Sequence, residues 1–203
     1  MLDGPLRPAK DRLLGPLTRG PLGTVPPVVL SAVALVAALG AAAGAWQQMP
    51  AAAVALWLIS RVADGLDGAV ARHQDVANDR GGLIDIVFDT IGYAVIPLGI
   101  AAGIDTRAAW ITVAVLLATF YVNAVSWTYL AALLERRAVG AEATGASTST
   151  IMPRGVVEGA ETIVFFSVAL AWPRGAVAVL AAMAAAVTIT IVERMWRARG
   201  VLA

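Results

Sequence analysis

The chain has 203 residues, of which 59% are apolar and 14% charged, with a mean hydropathy of +0.77. A soluble domain carries about 25% charged residues, so a water-soluble globule is excluded and a polytopic membrane protein is expected. A formal net charge of +1 argues against nucleic acid as a partner, and the lack of cysteine excludes disulfides, thiolate metal sites and thiol nucleophiles.

Taken in chain order, residues 1–26 read as a cytoplasmic juxtamembrane segment. They carry Arg7, Lys10, Arg12 and Arg19 and lack the apolar core and cleavage site of a signal peptide. Leu2, Leu6, Leu13, Leu14 and Leu17 among those charges suggest an interfacial amphipathic helix, limited by Pro5, Pro8 and Pro16. Residues 27–196 read as one transmembrane domain with spans at 27–46, 51–71, 83–104, 108–134, 156–172 and 175–195, and 197–203 as a cytoplasmic tail. The expected fold is therefore an all-α integral membrane protein with six transmembrane helices.

Basic residues alternate along the connections. Arg72 and Arg80 follow the second span, Arg136, Arg137 and Arg154 the fourth, and Arg194, Arg197 and Arg199 the sixth, whereas the opposite side has only Arg107 and Arg174. The positive-inside rule then places both termini in the cytoplasm, with Trp46, Trp110 and Trp172 at the outer boundary as an aromatic belt.

Four aspartates lie inside the second and third spans. Asp64 and Asp67 are three residues apart and Asp85 and Asp89 four apart, so each pair shares a helix face. A carboxylate at the centre of a span costs roughly 2.5–3.5 kcal/mol on insertion scales, and nearby basic residues are too few to compensate four. Asp64 lies eight residues before Arg72 and Asp89 eight after Gly81, so both sit roughly 12 Å inside the membrane and the two pairs can face each other at one level. Antiparallel helices would thus face the pairs towards each other in an oxygen-rich site suited to Mg²⁺ or Mn²⁺. Two such ions would neutralise a diphosphate and stabilise charge as a phosphorus–oxygen bond breaks. Gly68 and Gly81 leave room beside the helix backbones, and Arg72 offers a fixed fork for phosphate.

These residues form the run D-x-x-D-G-x-x-A-R, eight further residues, then G-x-x-x-D-x-x-x-D, across Asp64–Asp89. The run closely resembles the signature of the CDP-alcohol phosphotransferase family, with every fixed position present. The six-span layout extends the resemblance to most of the chain. The resemblance implies cleavage of a CDP-linked donor, release of CMP and transfer of the remaining phosphoryl-linked group to an alcohol. It implies Asp64, Asp67, Asp85 and Asp89 as ligands of two divalent ions, with Asp89 also the general base. Whether Asp89 takes the acceptor proton or orients the hydroxyl stays open. Gly68, Ala71, Arg72 and Gly81 would line the CDP pocket, and a homodimer is implied on the same ground.

Remaining polarity gathers on the cytoplasmic half. Arg154, Glu158 and Glu161 are candidates for the acceptor site, with a structural glutamate–arginine network as the alternative. Asn123 and Ser126 lie in the inner half of the fourth span, and Arg61, one turn before Asp64, is expected to pair with a carboxylate. His73 reads as a solvated residue at the membrane edge.

The preferred reading is a membrane phosphotransferase acting on CDP-diacylglycerol and a small hydroxyl acceptor in phospholipid synthesis. Compact size and Ala/Arg-rich composition suggest a bacterial cytoplasmic membrane, with the site on the cytoplasmic side. One alternative reverses the roles, with a soluble CDP-alcohol donor and a diacylglycerol-type acceptor. Another, of a different class, is a divalent-cation transporter, which would need a polar route to the outer face. Intramembrane prenyltransferases also use aspartate clusters but normally need a second acidic motif.

Overall fold

Helix boundaries follow local chemistry. In the computed structural model, which describes residues 15–137 and 157–202, prolines open the first two long helices. These are α1 (Pro27–Trp46) and α2 (Pro50–His73). Proline's missing N–H costs nothing at a first helical position, and its fixed φ suits the helix. α3 (Asp79–Ile104) starts on Asn78, whose side chain accepts from the Gly81 amide at 2.9 Å. It stops at Asp105, which adopts a left-handed conformation with φ 47°. α4 (Arg107–Arg136) is capped by Thr106, which accepts from the Ala109 amide at 3.2 Å. α5 (Gly159–Ala171) follows, and a short 3₁₀ turn at Pro173–Gly175 leads into α6 (Ala176–Leu202).

Four helical stretches among the described residues are long and apolar enough to cross a membrane: Pro27–Trp46, Asp79–Ile104, Arg107–Arg136 and Pro173–Gly200. This corrects the expectation of six transmembrane helices. α2 has sufficient length, at 24 residues, but carries Arg61, Asp64, Asp67 and Arg72 in its second half. α5 has only 13 residues, or about 20 Å at 1.5 Å per residue, against a hydrocarbon core of about 30 Å. The protein is an all-α integral membrane protein in which these two helices pack against the longer apolar ones. The helical backbone of α6 runs to Leu202, through most of the segment 197–203 read as a tail. The expected amphipathic segment falls mostly on residues 1–14, outside the described ones.

α1 packs along both α2 and α3, α4 packs against α6, and α5 bridges α2 and α6. The core is centred on Trp57, Ile96, Leu116, Phe166, Leu180 and Met183, all fully buried. Trp57 meets Phe166 edge-on at 5.5 Å between ring centroids and Tyr93 at 6.3 Å. The Trp57 indole N–H donates to the Ile163 carbonyl at 3.4 Å, tying α2 to α5. Trp46, Trp110 and Trp172 are exposed, at or beside helix ends away from the aspartates.

Small residues set how closely α1 and α3 approach. A Cβ on Gly99 would strike the Ala42 backbone, and one on Gly103 would strike the carbonyls of Ala45 and Trp46. Such close backbone contact is how helices associate in lipid, where apolar burial by itself gives no preference for a neighbour. Gly99→Ala is expected to cost about 1–3 kcal/mol through overpacking. Thermal denaturation in detergent should show it below the unsubstituted protein, with Gly200→Ala, which meets nothing within 4 Å, unchanged.

Candidate functional site

α2 and α3 are antiparallel neighbours joined by a turn in which Asp75 takes a left-handed conformation, φ 55°. Their facing surfaces carry the acidic motif. Asp64, Asp67 and Asp85 each offer a carboxylate oxygen, and these oxygens lie within 4.8 Å of one another. Asp67 is buried, at 4% exposure, while Asp64 and Asp85 are half-buried. Three carboxylates at this separation would repel one another strongly without a cation between them. An all-oxygen donor set of this kind fits a hard divalent ion such as Mg²⁺ or Mn²⁺.

Asp67 is held at both oxygens. Ser31, on α1, donates its hydroxyl to Oδ2 at 2.5 Å, and the Gly68 amide lies 2.5 Å from Oδ1. Ser31 is itself buried, at 6% exposure. Its hydroxyl also reaches the Pro27 carbonyl one turn earlier, at 3.3 Å. A buried hydroxyl on a ligating carboxylate fixes which lone pairs face the ion. Sequence reading missed this residue. Its only signal was that Ser31 is the sole polar side chain in α1.

Asp89 behaves differently from the other three. Its Oδ1 lies 2.6 Å from Arg61 Nη1, which also stands 3.7 Å from Asp64 Oδ2. The expected pairing of Arg61 with a carboxylate is therefore present, and it involves two. The guanidinium stacks 4.6 Å from the Trp57 ring centroid and 5.4 Å from that of Tyr93. Asp89 thus sits beside the cluster, with Oδ1 on Arg61 and its carboxylate within reach of Asp64.

The remaining motif positions edge the same site. Gly68 and Ala71 are half-buried on α2 and Arg72 is exposed in its last turn. Arg72 folds back so that Nη1 lies 3.3 Å from where a Gly68 Cβ would stand. Gly81 is exposed in the first turn of α3, where a Cβ would meet only Asn78 Oδ1, at 3.7 Å. His73 is exposed, as expected of a solvated residue.

The candidate acceptor residues are only partly brought to view, since Arg154 lies outside the described residues. Glu158 and Glu161 cap α5 reciprocally: the Glu158 amide donates to Glu161 Oε2 at 3.1 Å and the Glu158 side chain accepts from the backbone of Glu161. The buried cation of this region is Arg194 on α6, at 5% exposure. Its Nη1 donates to Asn123 Oδ1 and Ser126 Oγ, each at 2.7 Å, and Glu158 acts on it electrostatically. Sequence reading placed Asn123 and Ser126 in this half of α4 but left Arg194 as an end-of-span charge.

Residues 24–192 match the family model of the CDP-alcohol phosphatidyltransferases. The chain is 32% identical over 126 residues to the inner membrane protein YnjF of Escherichia coli (strain K12). That alignment takes in 60% of this chain and 58% of YnjF, so the match spans little more than half of that relative. Among solved structures, the phosphatidylinositol phosphate synthase PgsA1 of Mycobacterium tuberculosis with CDP-DAG bound superposes with a TM-score of 0.70 at 23% identity, covering 92% of this chain and 94% of that one. The same enzyme in complex with manganese and citrate gives 0.69 at 21% identity, covering 91% and 88%. At these identities the likeness establishes the shared fold.

Ser31→Ala removes the hydroxyl from Asp67 without adding bulk. The variant is expected to fold and to bind Mn²⁺ about 10-fold more weakly, measured by calorimetric titration, since outer-shell partners typically contribute 10–100-fold.

Proposed function

The chain belongs to the CDP-alcohol phosphatidyltransferase family, and from that premise we propose that it cleaves CDP-diacylglycerol, releases CMP and passes the phosphatidyl group to a small hydroxyl acceptor. The observation that carries this reading is the meeting of Asp64, Asp67 and Asp85 within 4.8 Å at the end of two antiparallel helices.

Two divalent ions, Mg²⁺ or Mn²⁺, would supply positive charge that neutralises the donor's diphosphate and stabilises the charge developing on it. Asp64, Asp67 and Asp85 would hold one such ion, and Asp89 would contribute to a second. Gly68 and Ala71 leave the backbone of α2 open to the nucleotide, and Gly81 does the same on α3. Arg72, exposed in the last turn of α2, pairs with phosphate oxygens. The acceptor oxygen forms its bond to the phosphorus that bears diacylglycerol, and the bond from that phosphorus to the bridging oxygen breaks. CMP leaves with the electron pair, and the acceptor's proton passes to Asp89 through the oxygen that Arg61 does not engage. Arg194, with Asn123 and Ser126, offers a buried positive centre on the acceptor side, beside Glu158 and Glu161, and Arg154 is assigned to the acceptor from the sequence alone.

A lipid donor suits this arrangement because the carboxylates lie on helices that pack within the bundle while Arg72, Arg80 and Gly81 are exposed at its end. The basic residues at this end support an orientation with the site on the cytoplasmic face, by the positive-inside rule. Association as a homodimer belongs to the same proposal and rests on the family alone.

The interior argues against a cation path. Between the aspartates and the opposite end stand the fully buried rings of Trp57 and Phe166, backed by Ile96 and Leu116. The cavity at that opposite end is lined mainly by apolar groups, with Gln48 and Arg174 as its polar side chains. A transported ion would have to shed its water against hydrocarbon over that whole stretch.

Purified protein incubated with labelled CDP-diacylglycerol, Mg²⁺ and a panel of hydroxyl acceptors should release CMP and form a lipid product. Asp67→Asn and Asp85→Asn are each expected to lower turnover by more than the roughly 100-fold that outer-shell changes cost, with the fold retained. EDTA should abolish activity and added Mn²⁺ restore it. Full activity in both variants, or indifference to EDTA, would refute the reading.

A further inference from the structure

The four motif aspartates are not equivalent, for Asp89 approaches Asp64 but is itself paired with Arg61. Three of them bring oxygens within 4.8 Å of one another. The fourth, Asp89, has Oδ1 in a 2.6 Å ion pair with Arg61. Any ion held by Asp89 and shared with Asp64 would have to tolerate that guanidinium, which lies 3.7 Å from Asp64 Oδ2.

Arg61 has little freedom to withdraw. Its side chain is 7% exposed. One side stacks on Trp57, which is fully buried, and another lies against Tyr93. Nη2 donates to Ser60 Oγ at 3.0 Å, and Nη1 reaches the Tyr93 hydroxyl at 3.5 Å. Its Nε is buried without a hydrogen-bond partner. A guanidinium keeps its charge under all ordinary conditions and is held here by stacking as well as by ion pairs. It is a fixed positive charge placed where a second metal ion would otherwise find two carboxylates.

We propose that Arg61 is a built-in competitor for the second divalent ion. It divides the acidic motif into a tight site at Asp64, Asp67 and Asp85 and a weak site at Asp89. The weak site retains its ion only when a bound diphosphate adds its own oxygens. Arg61 is thus a positioning residue that couples occupancy of the second ion to arrival of the nucleotide, which keeps the full charge of two ions from accumulating in an empty site. The inference rests on the metal-dependent reading above and concerns only how the ions divide.

The test is a Mn²⁺ titration of the full chain in lipid nanodiscs, following unbound Mn²⁺ by electron paramagnetic resonance with and without CDP. The wild-type protein should take one ion tightly and a second at least about 10-fold more weakly, and CDP should close most of that gap. Arg61→Gln should tighten the second ion at least about 10-fold without CDP and leave the first unchanged, whereas Arg61→Lys, which keeps the charge, should preserve the gap. A merely structural arginine predicts that its removal weakens both ions, never that it strengthens one. Two equally tight ions in the wild type without CDP would overturn the proposal even if the glutamine variant failed to fold. So would an unchanged second affinity in a folded Arg61→Gln. No Mn²⁺ binding at all would overturn the metal-dependent reading itself, and this inference with it.

Discussion

Mutual repulsion among carboxylates brought together by α2 and α3 is the constraint around which this bundle is arranged. Asp64, Asp67 and Asp85 are held close enough to share one cation, in a protein whose described residues include four stretches suited to the bilayer. Keeping charged groups at that depth requires that they be sheltered from hydrocarbon and compensated. Both requirements are visible. α1 lies along both α2 and α3, so the two helices that carry the aspartates are each packed against an apolar neighbour. Compensation comes from Ser31, Arg61 and the cation the cluster is shaped to hold.

The close packing of α1 therefore bears directly on the chemistry. Gly99 and Gly103 let α3 approach the backbone of α1. Gly44 does the same towards α2, where a Cβ would stand 3.3 Å from the Ala53 backbone. That proximity puts the Ser31 hydroxyl within 2.5 Å of Asp67. Small residues in an apolar helix thus act at a distance on the orientation of a metal ligand. The aromatic cluster serves a parallel purpose, since Trp57 and Tyr93 hold Arg61 flat while Phe166 closes the interior behind them.

Much of this was legible in the order of residues. The spacings of three and four within the acidic motif put each pair on one face of a helix, because a helix turns every 3.6 residues, and no packing partner is needed to establish that. Helix starts were legible too: Pro27 and Pro50 open α1 and α2 within a residue of expectation. Less was legible at α5. An apolar run from Val156 suggested a span, but Glu158 and Glu161 cap a helix that begins at Gly159 and has 13 residues. Apolar content signals burial without distinguishing burial in lipid from burial against neighbouring helices, and for that reason six apolar segments became four crossing ones.

By itself, then, the sequence determined the membrane class, the acidic motif with its cationic and glycine neighbours, and the helical phase that pairs the carboxylates. Those are properties of local periodicity and of transfer free energy, which any stretch of chain carries with it. Only the tertiary structure decided that Ser31, 36 residues away, would engage Asp67, that Arg61 would pair with both Asp89 and Asp64, and that Arg194 would lie buried against Asn123 and Ser126. Those contacts depend on the rotation and separation of neighbouring helices, which are set by side-chain packing across the bundle and leave no periodic trace in any single segment.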